Sequence, residues 1–347
     1  MKIVRHDRNM ASRVIRLSVG FASVVSVVAL VSIVSAQTAP VSRPPEGVDH
    51  GSRLLGHVIE RLALGAAFDA KVRQRVWVGG REVIGVGTYE QAGDGSGRFN
   101  LQVAMHDGDG KHTLQQISDG RLAWTREQIG DQILLQRVDV GRLDQWVHGA
   151  TLTGLSRTKQ ASGSSHSIVK DLPPSVRVGG FVEMLETMMT HHDLRVVTGR
   201  LEDQDVWIVR GSLKKEVRLR MLEEFPNNQW PELCPDEMVV AIAKSDQLDT
   251  GFGQGIPVRI EFWVRPPAAA PEQARTDSGS DPQTAPPSHR MVSLIELYSI
   301  RPVSSPPIGR FRFENQDMEV NYTNDTDRYL HRYGIQITER QSRLLRR

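Results

Sequence analysis

The sequence predicts an α+β fold built on one large, strongly curved antiparallel sheet. Three observations carry this. Short alternating segments fill the stretch from Lys71 to Val140, turn residues separate them at hairpin spacing, and amphipathic helical stretches flank the run on both sides. The alternation is cleanest at Arg98–His106. There Phe99, Leu101, Val103 and Met105 interleave with Arg98, Asn100, Gln102 and His106, the two-residue period of a sheet with one dry face. Val72, Val76 and Val78 precede a Gly79-Gly80 turn, and Val83 to Tyr89 follow it. Further turns fall at Ala92–Gly97, at Gly108-Asp109-Gly110, at Asp119-Gly120 and at Gly130-Asp131, which gives a meander of neighbouring strands.

The chain opens with a basic segment (Lys2, Arg5, Arg8, Arg13, Arg16) followed by the uncharged run Leu17–Ala36. Val34-Ser35-Ala36 places small residues where signal peptidase cuts, so residues 1–36 read as a signal peptide with Gln37 as the mature start. An apolar run of about 20 residues is also long enough to span a bilayer, so an uncleaved inner-membrane anchor is the alternative. Both place the body of the protein in the periplasm or otherwise outside the cytoplasm. The whole chain carries a net charge of +2, and without its targeting segment the remainder carries about −2. A basic footprint for nucleic acid is therefore not expected. The single cysteine, Cys234, rules out an internal disulfide and a cysteine-based zinc cluster; it is either a buried thiol or a reactive one.

Residues 37–51 read as a Pro-rich linker and residues 52–337 as the folded domain. Its first helix is expected from Ser52 to about Phe68, with Leu54, Leu55, Val58, Ile59 and Leu62 along one side. After the meander, Val138–His148 runs from strand into a short helix, and Thr151–Asp171 reads as a mobile loop. Gly179-Gly180 opens a second helix ending near His191, whose apolar side carries Phe181, Met184, Leu185 and Met188. Strands follow at Leu194–Thr198 and Asp205–Arg210, then a charged helix at Leu213–Leu222. Met238–Ala243 and Pro257–Arg265 read as strands paired across the Gly251–Gly255 turn, with Ile260 and Phe262 on the apolar side. Residues 266–289 are rich in Pro, Ala, Ser and Thr and read as a disordered insertion before the strand Met291–Ile300. A terminal helix is expected at Asp325–Arg332, and residues 338–347 form a basic tail.

Few groups point to chemistry. His191-His192-Asp193 reads as a helix C-terminus, where a cationic histidine suits the macrodipole, rather than as a metal site. Asp107-Gly108-Asp109-Gly110 begins like a calcium loop, but Ser118 stands where the twelfth-position glutamate belongs. No nucleophile elbow, phosphate loop or zinc-protease motif is present, so the sequence reads as non-enzymatic, with no cofactor and no metal.

Gly85-Val-Gly-Thr-Tyr89 followed by Arg98-Phe-Asn-Leu101 resembles a strand pair of the LolA-like superfamily. That superfamily takes in the LolA and LolB lipoprotein carriers and the RseB sensor. Asp119-Gly-Arg-Leu-Ala-Trp124 is similar to its hairpin, and Arg137-Val-Asp139 to the strand that leaves it. Val206-Trp-Ile-Val-Arg-Gly211 and Asp325-Thr-Asp-Arg-Tyr329 resemble segments of planctomycete-type exported members. The resemblance implies an unclosed half-barrel of about ten antiparallel strands with helices on its concave face, and an apolar cavity between them. It implies a carrier or binder of lipid or lipoprotein acyl chains. An acyl chain of about 14 methylenes would contribute on the order of 11 kcal/mol before ordering costs. The alternative is a sensor or scaffold that binds a membrane or envelope protein through its sheet surface. The expected cavity lining is Phe99, Leu101, Val103 and Met105, the pairs Leu122 with Trp124, Ile133 with Leu135 and Ile260 with Phe262, and a methionine-bearing cover at Met184 and Met188.

Overall fold

Six hairpin-connected strands form as the alternation predicts. In the computed structural model they are β1 (Phe68–Val78), β2 (Arg81–Gln91), β3 (Arg98–His106), β4 (Lys111–Asp119), β5 (Leu122–Ile129) and β6 (Gln132–Asp139). The structure describes residues 46–108, 110–147, 176–265, 289–304, 306–315, 320–339 and 341–342. The signal segment, most of the linker, the Thr151–Asp171 loop, nearly all of the 266–289 insertion and most of the basic tail lie outside these residues.

The helices that accompany the strands include α1 (Glu46–Leu64), α2 (residues 140–147), α3 (Gly180–His191), α4 (Lys215–Glu224) and α5 (Thr326–Arg332). The later strands are β7 (His192–Leu201), β8 (Gln204–Leu213), β9 (Glu237–Ala243), β10 (Pro257–Val264), β11 (Arg290–Pro302) and the short β12 (Thr323–Asn324). All belong to one open sheet of 12 strands in the order β12-β6-β5-β4-β3-β2-β1-β11-β10-β9-β8-β7. Every pairing is antiparallel except β12 with β6. The α+β class is as expected, and the sheet holds 12 strands where about ten were expected, the C-terminal return adding the short β12.

One face of the sheet is dry. Phe99, Leu101, Val103 and Met105 are buried on it, in one core with Val72 and Val76 of β1 and Ile260 and Phe262 of β10. Leu55, Val58, Ile59 and Leu62 of α1 and Phe181, Leu185 and Met188 of α3 complete that core. α1 ends at Leu64 and Phe68 already belongs to β1, so the first helix is shorter at its C-terminus than the sequence suggests. The Gly65 amide closes it by donating to the Arg61 carbonyl at 3.1 Å.

Tyr89 is fully buried at the centre of the core. Its ring meets Phe181 edge-on at 4.7 Å and lies 5.8 Å from Phe68 and 6.4 Å from Phe99. β2 brings Gly87 against β3 so closely that a Cβ there would stand 1.8 Å from the Gln102 carbonyl oxygen. Gly179 and Gly180 start α3 at positive φ (79° and 62°), and a Cβ on Gly179 would sit 2.7 Å from the Phe99 ring.

Met188 is wholly inaccessible rather than placed at an exposed edge. Met188→Ala should therefore destabilise the protein by about 2–5 kcal/mol, as truncation of a packed core side chain does. Urea unfolding monitored by tryptophan fluorescence checks this, and an unchanged midpoint would place Met188 outside the core.

Candidate functional site

Cross-strand register decides which residues share a face, because partners directly opposite one another project to the same side. Phe99 lies opposite Ser118, Ser118 opposite Ala123 and Ala123 opposite Val138. The inner face of β5 and β6 is thus carried by Ala123, Thr125, Glu127, Gln136 and Val138. Leu122, Trp124, Ile133 and Leu135 lie on the opposite, outer side, which corrects the expected grouping of these four with Phe99 and Leu101. The cause lies far away in sequence. Phe313 stacks on Trp124 at 4.9 Å, Tyr322 meets it edge-on at 5.4 Å, and Arg137 lies 4.4 Å over Tyr322, so a C-terminal segment covers the outer side there.

The other expected residues, Phe99, Leu101, Val103, Met105, Met184, Met188, Ile260 and Phe262, do come together. They pack against one another and against α1 and α3. The spaces beside them are small. A crevice of about 60 Å³ lies at the start of α3, lined by Phe99, Gln116, Glu127, Glu183, Met184 and Tyr329. A second of about 60 Å³ lies between the end of α1 and Val176–Val182. Ligand sites commonly measure about 300–1,000 Å³.

The first crevice borders a buried ionic cluster. The Tyr329 hydroxyl lies 2.9 Å and 3.1 Å from the two carboxylate oxygens of buried Glu183, and Arg332 and the Gly179 amide also donate to that carboxylate. Arg332 donates to Glu186 at 3.0 Å as well. Burial first, then the adjacent Glu183 charge, pushes the Tyr329 phenol well above its usual range, so it remains a donor. This cluster seats α5 on α3.

A wider open space lies on the outer face. A groove of about 770 Å³ runs over β2 to β5 and is walled by residues 309–314. Thr88, Gln102, Gln115 and Arg126 lie directly opposite one another across its floor. Neighbouring amides order the floor. Gln102 donates to Asn100 at 3.2 Å, Asn100 to the Arg310 carbonyl at 3.1 Å, and Arg126 to Thr113 and Gln128 at 3.3 Å each. Lys111, Arg310 and Arg312 bring cationic groups to the rim against Glu314. A hollow of about 430 Å³ adjoins it and shares Thr88, Asn100 and Arg310 with it. Arg310 pairs with Glu90 there at 2.7 Å, and Arg301 with Asp69 at 2.6 Å. Sequence reasoning missed this groove, since its wall lies about two hundred residues from its floor; the polar half of the Arg98–His106 alternation was its only local signal.

α3 ends at His191 as expected, with the His192 amide donating to the Met188 carbonyl, but the two imidazoles do not supply the expected charge there. Burial pushes both imidazoles down to about 4, helped at His191 by Arg332 and at His192 by His191. Lys214 brings the charge to the end of α3, its ammonium donating to the Thr190 carbonyl at 2.6 Å. Asp107 pairs with His112 at 2.8 Å within its hairpin. Among the described residues no group of three or more His, Cys, Asp or Glu side chains is placed to hold a metal. Cys234 is a buried thiol, pushed up to about 12 by burial and the adjacent Asp236 charge.

No family model matches the chain, and no curated protein does. Solved structures do. A DUF1329 family protein from Desulfovibrio piger is 11% identical, with 77% of this chain and 98% of that one covered and a TM-score of 0.30. A LolA superfamily protein from Nitrosomonas europaea is 7% identical, covering 76% and 97% at a TM-score of 0.26. The Pseudomonas aeruginosa MucA/MucB complex is 8% identical, covering 76% and 61% at a TM-score of 0.31. Likenesses this distant carry no argument about ligand or partner.

The two neutral histidines make stability fall with acidity. An unfolded imidazole takes up its proton near pH 6.5, whereas the folded ones hold out to about 4, so the unfolded state binds more protons between these values. Stability should therefore drop as the pH falls from about 6.5 to about 4, by roughly 2–3 kcal/mol for His192. Urea midpoints at both pH values for wild type and His192→Gln check this. An unchanged pH slope in the variant would contradict it.

Proposed function

We propose that this chain is an exported, non-enzymatic binding module that takes an anionic partner on the outer face of its sheet. The position of the open space carries this reading. The inner side is filled by side chains around crevices of about 60 Å³, whereas the outer side offers a polar groove of about 770 Å³ with cationic walls. Central strands suit such a role, because β2 to β5 are paired on both edges and hold their side chains in fixed rows. Export is read from the basic and then apolar N-terminal segment. Among the described residues no helix is long and apolar enough to cross a membrane.

One observation favours a second reading, the carrier of lipid or lipoprotein acyl chains. Met105, Met184, Met188 and Met238 share the core between α3 and the sheet, and unbranched methionines repack readily around a guest. That reading requires α3 to lift from Phe99 and Tyr89.

Hydrogen exchange separates the two. At low ionic strength, oligoglutamate, oligogalacturonate and polyphosphate are each added to the full-length protein. At least one should slow exchange in residues 306–315 and in β2 to β5. Protection by none of them would overturn the outer-face reading, and slowed exchange of α1 and α3 upon addition of a long-chain fatty acid would favour the acyl-chain carrier.

A further inference from the structure

We propose that the outer groove is a site for a carboxylated polysaccharide strand lying across β2 to β5. This rests on the outer face being the binding surface and names its ligand.

The floor has the geometry of a track. Thr88, Gln102, Gln115 and Arg126 stand side by side on four successive strands, and strand spacing sets the row at about 14 Å. Its direction is across the strands, not along them. A polymer on this floor therefore meets a hydroxyl, two amides and a guanidinium in turn.

The chemistry of that row fits linked sugars. A primary amide both donates and accepts, and so does a sugar hydroxyl, so Gln102 and Gln115 can serve hydroxyls in either sense. Arg126 is already oriented by Thr113 and Gln128 at 3.3 Å, which leaves little ordering to be done when a ligand arrives. Guanidinium groups donate to carboxylates in a two-pronged geometry, and Lys111 and Arg312 add exposed charges that form no ion pair among the described residues. This cationic concentration stands on a body whose net charge is about −2 without the targeting segment, so attraction for an anion is local to the groove.

A polypeptide fits the same track poorly. The edges of β2 to β5 are taken up by neighbouring strands, so a peptide crossing them cannot join the sheet by strand addition. Its buried amides would be left to find partners among side chains alone. A glycan of uronate type has no amide backbone to satisfy, and its carboxylates recur along the chain as the cationic groups do around the groove.

Titration calorimetry of the full-length protein tests this with three probes of similar length: oligogalacturonate, neutral maltodextrin and oligoglutamate. Oligogalacturonate should bind with an affinity that falls as salt rises, and maltodextrin should bind far more weakly. Lys111→Ala with Arg312→Ala should weaken oligogalacturonate binding by about tenfold or more without lowering the melting temperature. Gln102→Leu with Gln115→Leu keeps every charge, and it too should weaken oligogalacturonate binding by about tenfold. Oligoglutamate bound as tightly as oligogalacturonate, or an amide double variant that binds normally, would overturn the polysaccharide assignment and leave the anion-binding outer face standing. Absence of binding to either anionic oligomer would overturn the polysaccharide assignment, and the outer-face reading falls with it when polyphosphate gives no protection either.

Discussion

Covering one face of a very wide sheet is the constraint on which this structure depends. Tyr89 is where that covering is fixed. It sits fully buried among Phe68, Phe99 and Phe181, and so joins β1, β2, β3 and α3 at one point. A slip of one residue in any of these strands would turn its apolar set outward. The register of the whole meander is therefore specified by the core, and the identity of the outward residues follows from it. The row Thr88, Gln102, Gln115 and Arg126 is aligned because Tyr89, Leu101, Gln116 and Thr125 are aligned on the neighbouring row of the ladder.

Buried ions hold the C-terminal region to this frame. Glu183 on α3 would carry a severe desolvation cost alone, but Tyr329, Arg332 and the Gly179 amide all donate to it. Such a cluster adds orientation more than net stability. By seating α5 on α3 it fixes where the preceding segment runs, and Thr323 and Asn324 pair with Gln136 and Arg137 on the sheet edge. The same return lays Phe313 over Trp124 and brings Arg310 and Arg312 to the groove. A carboxylate on the inner side thus helps to shape the outer one.

Much of the fold was legible because local pattern and tertiary burial agree. Arg98–His106 is β3 to the residue, and its four apolar side chains face the core. Agreement failed where a distant segment overrode the local signal. Leu122 and Trp124 look like an inward pair by hydrophobicity, yet Phe313 and Tyr322 give Trp124 an apolar environment on the outer side, and the inward places fall to Ala123, Thr125 and Glu127. Met188 carried no mark in the sequence of how completely α3 would be enclosed. His191 and His192 looked like a cationic cap because burial cannot be read from two adjacent residues, and Lys214, which brings the charge to the helix end, arrives from the far end of a hairpin.

The outer face is itself divided, and the division locates function more sharply than any single residue. On the half around β1, β10 and β11 arginines and glutamates pair with one another. Arg73 pairs with Glu296 at 2.7 Å, Arg259 with Glu261 at 2.7 Å and with Glu296 at 3.9 Å. These half-buried pairs set the arginines and glutamates of that half against one another. Over β2 to β5 the pattern changes to amides and cations, with Glu314 as the carboxylate among the groove's lining. The two halves thus differ in degree, since over β2 to β5 Arg310 is paired with Glu90 while Lys111 and Arg312 form no ion pair among the described residues. Over β2 to β5 the cationic excess is held in place by an ordered floor, and a partner that brings carboxylates completes it.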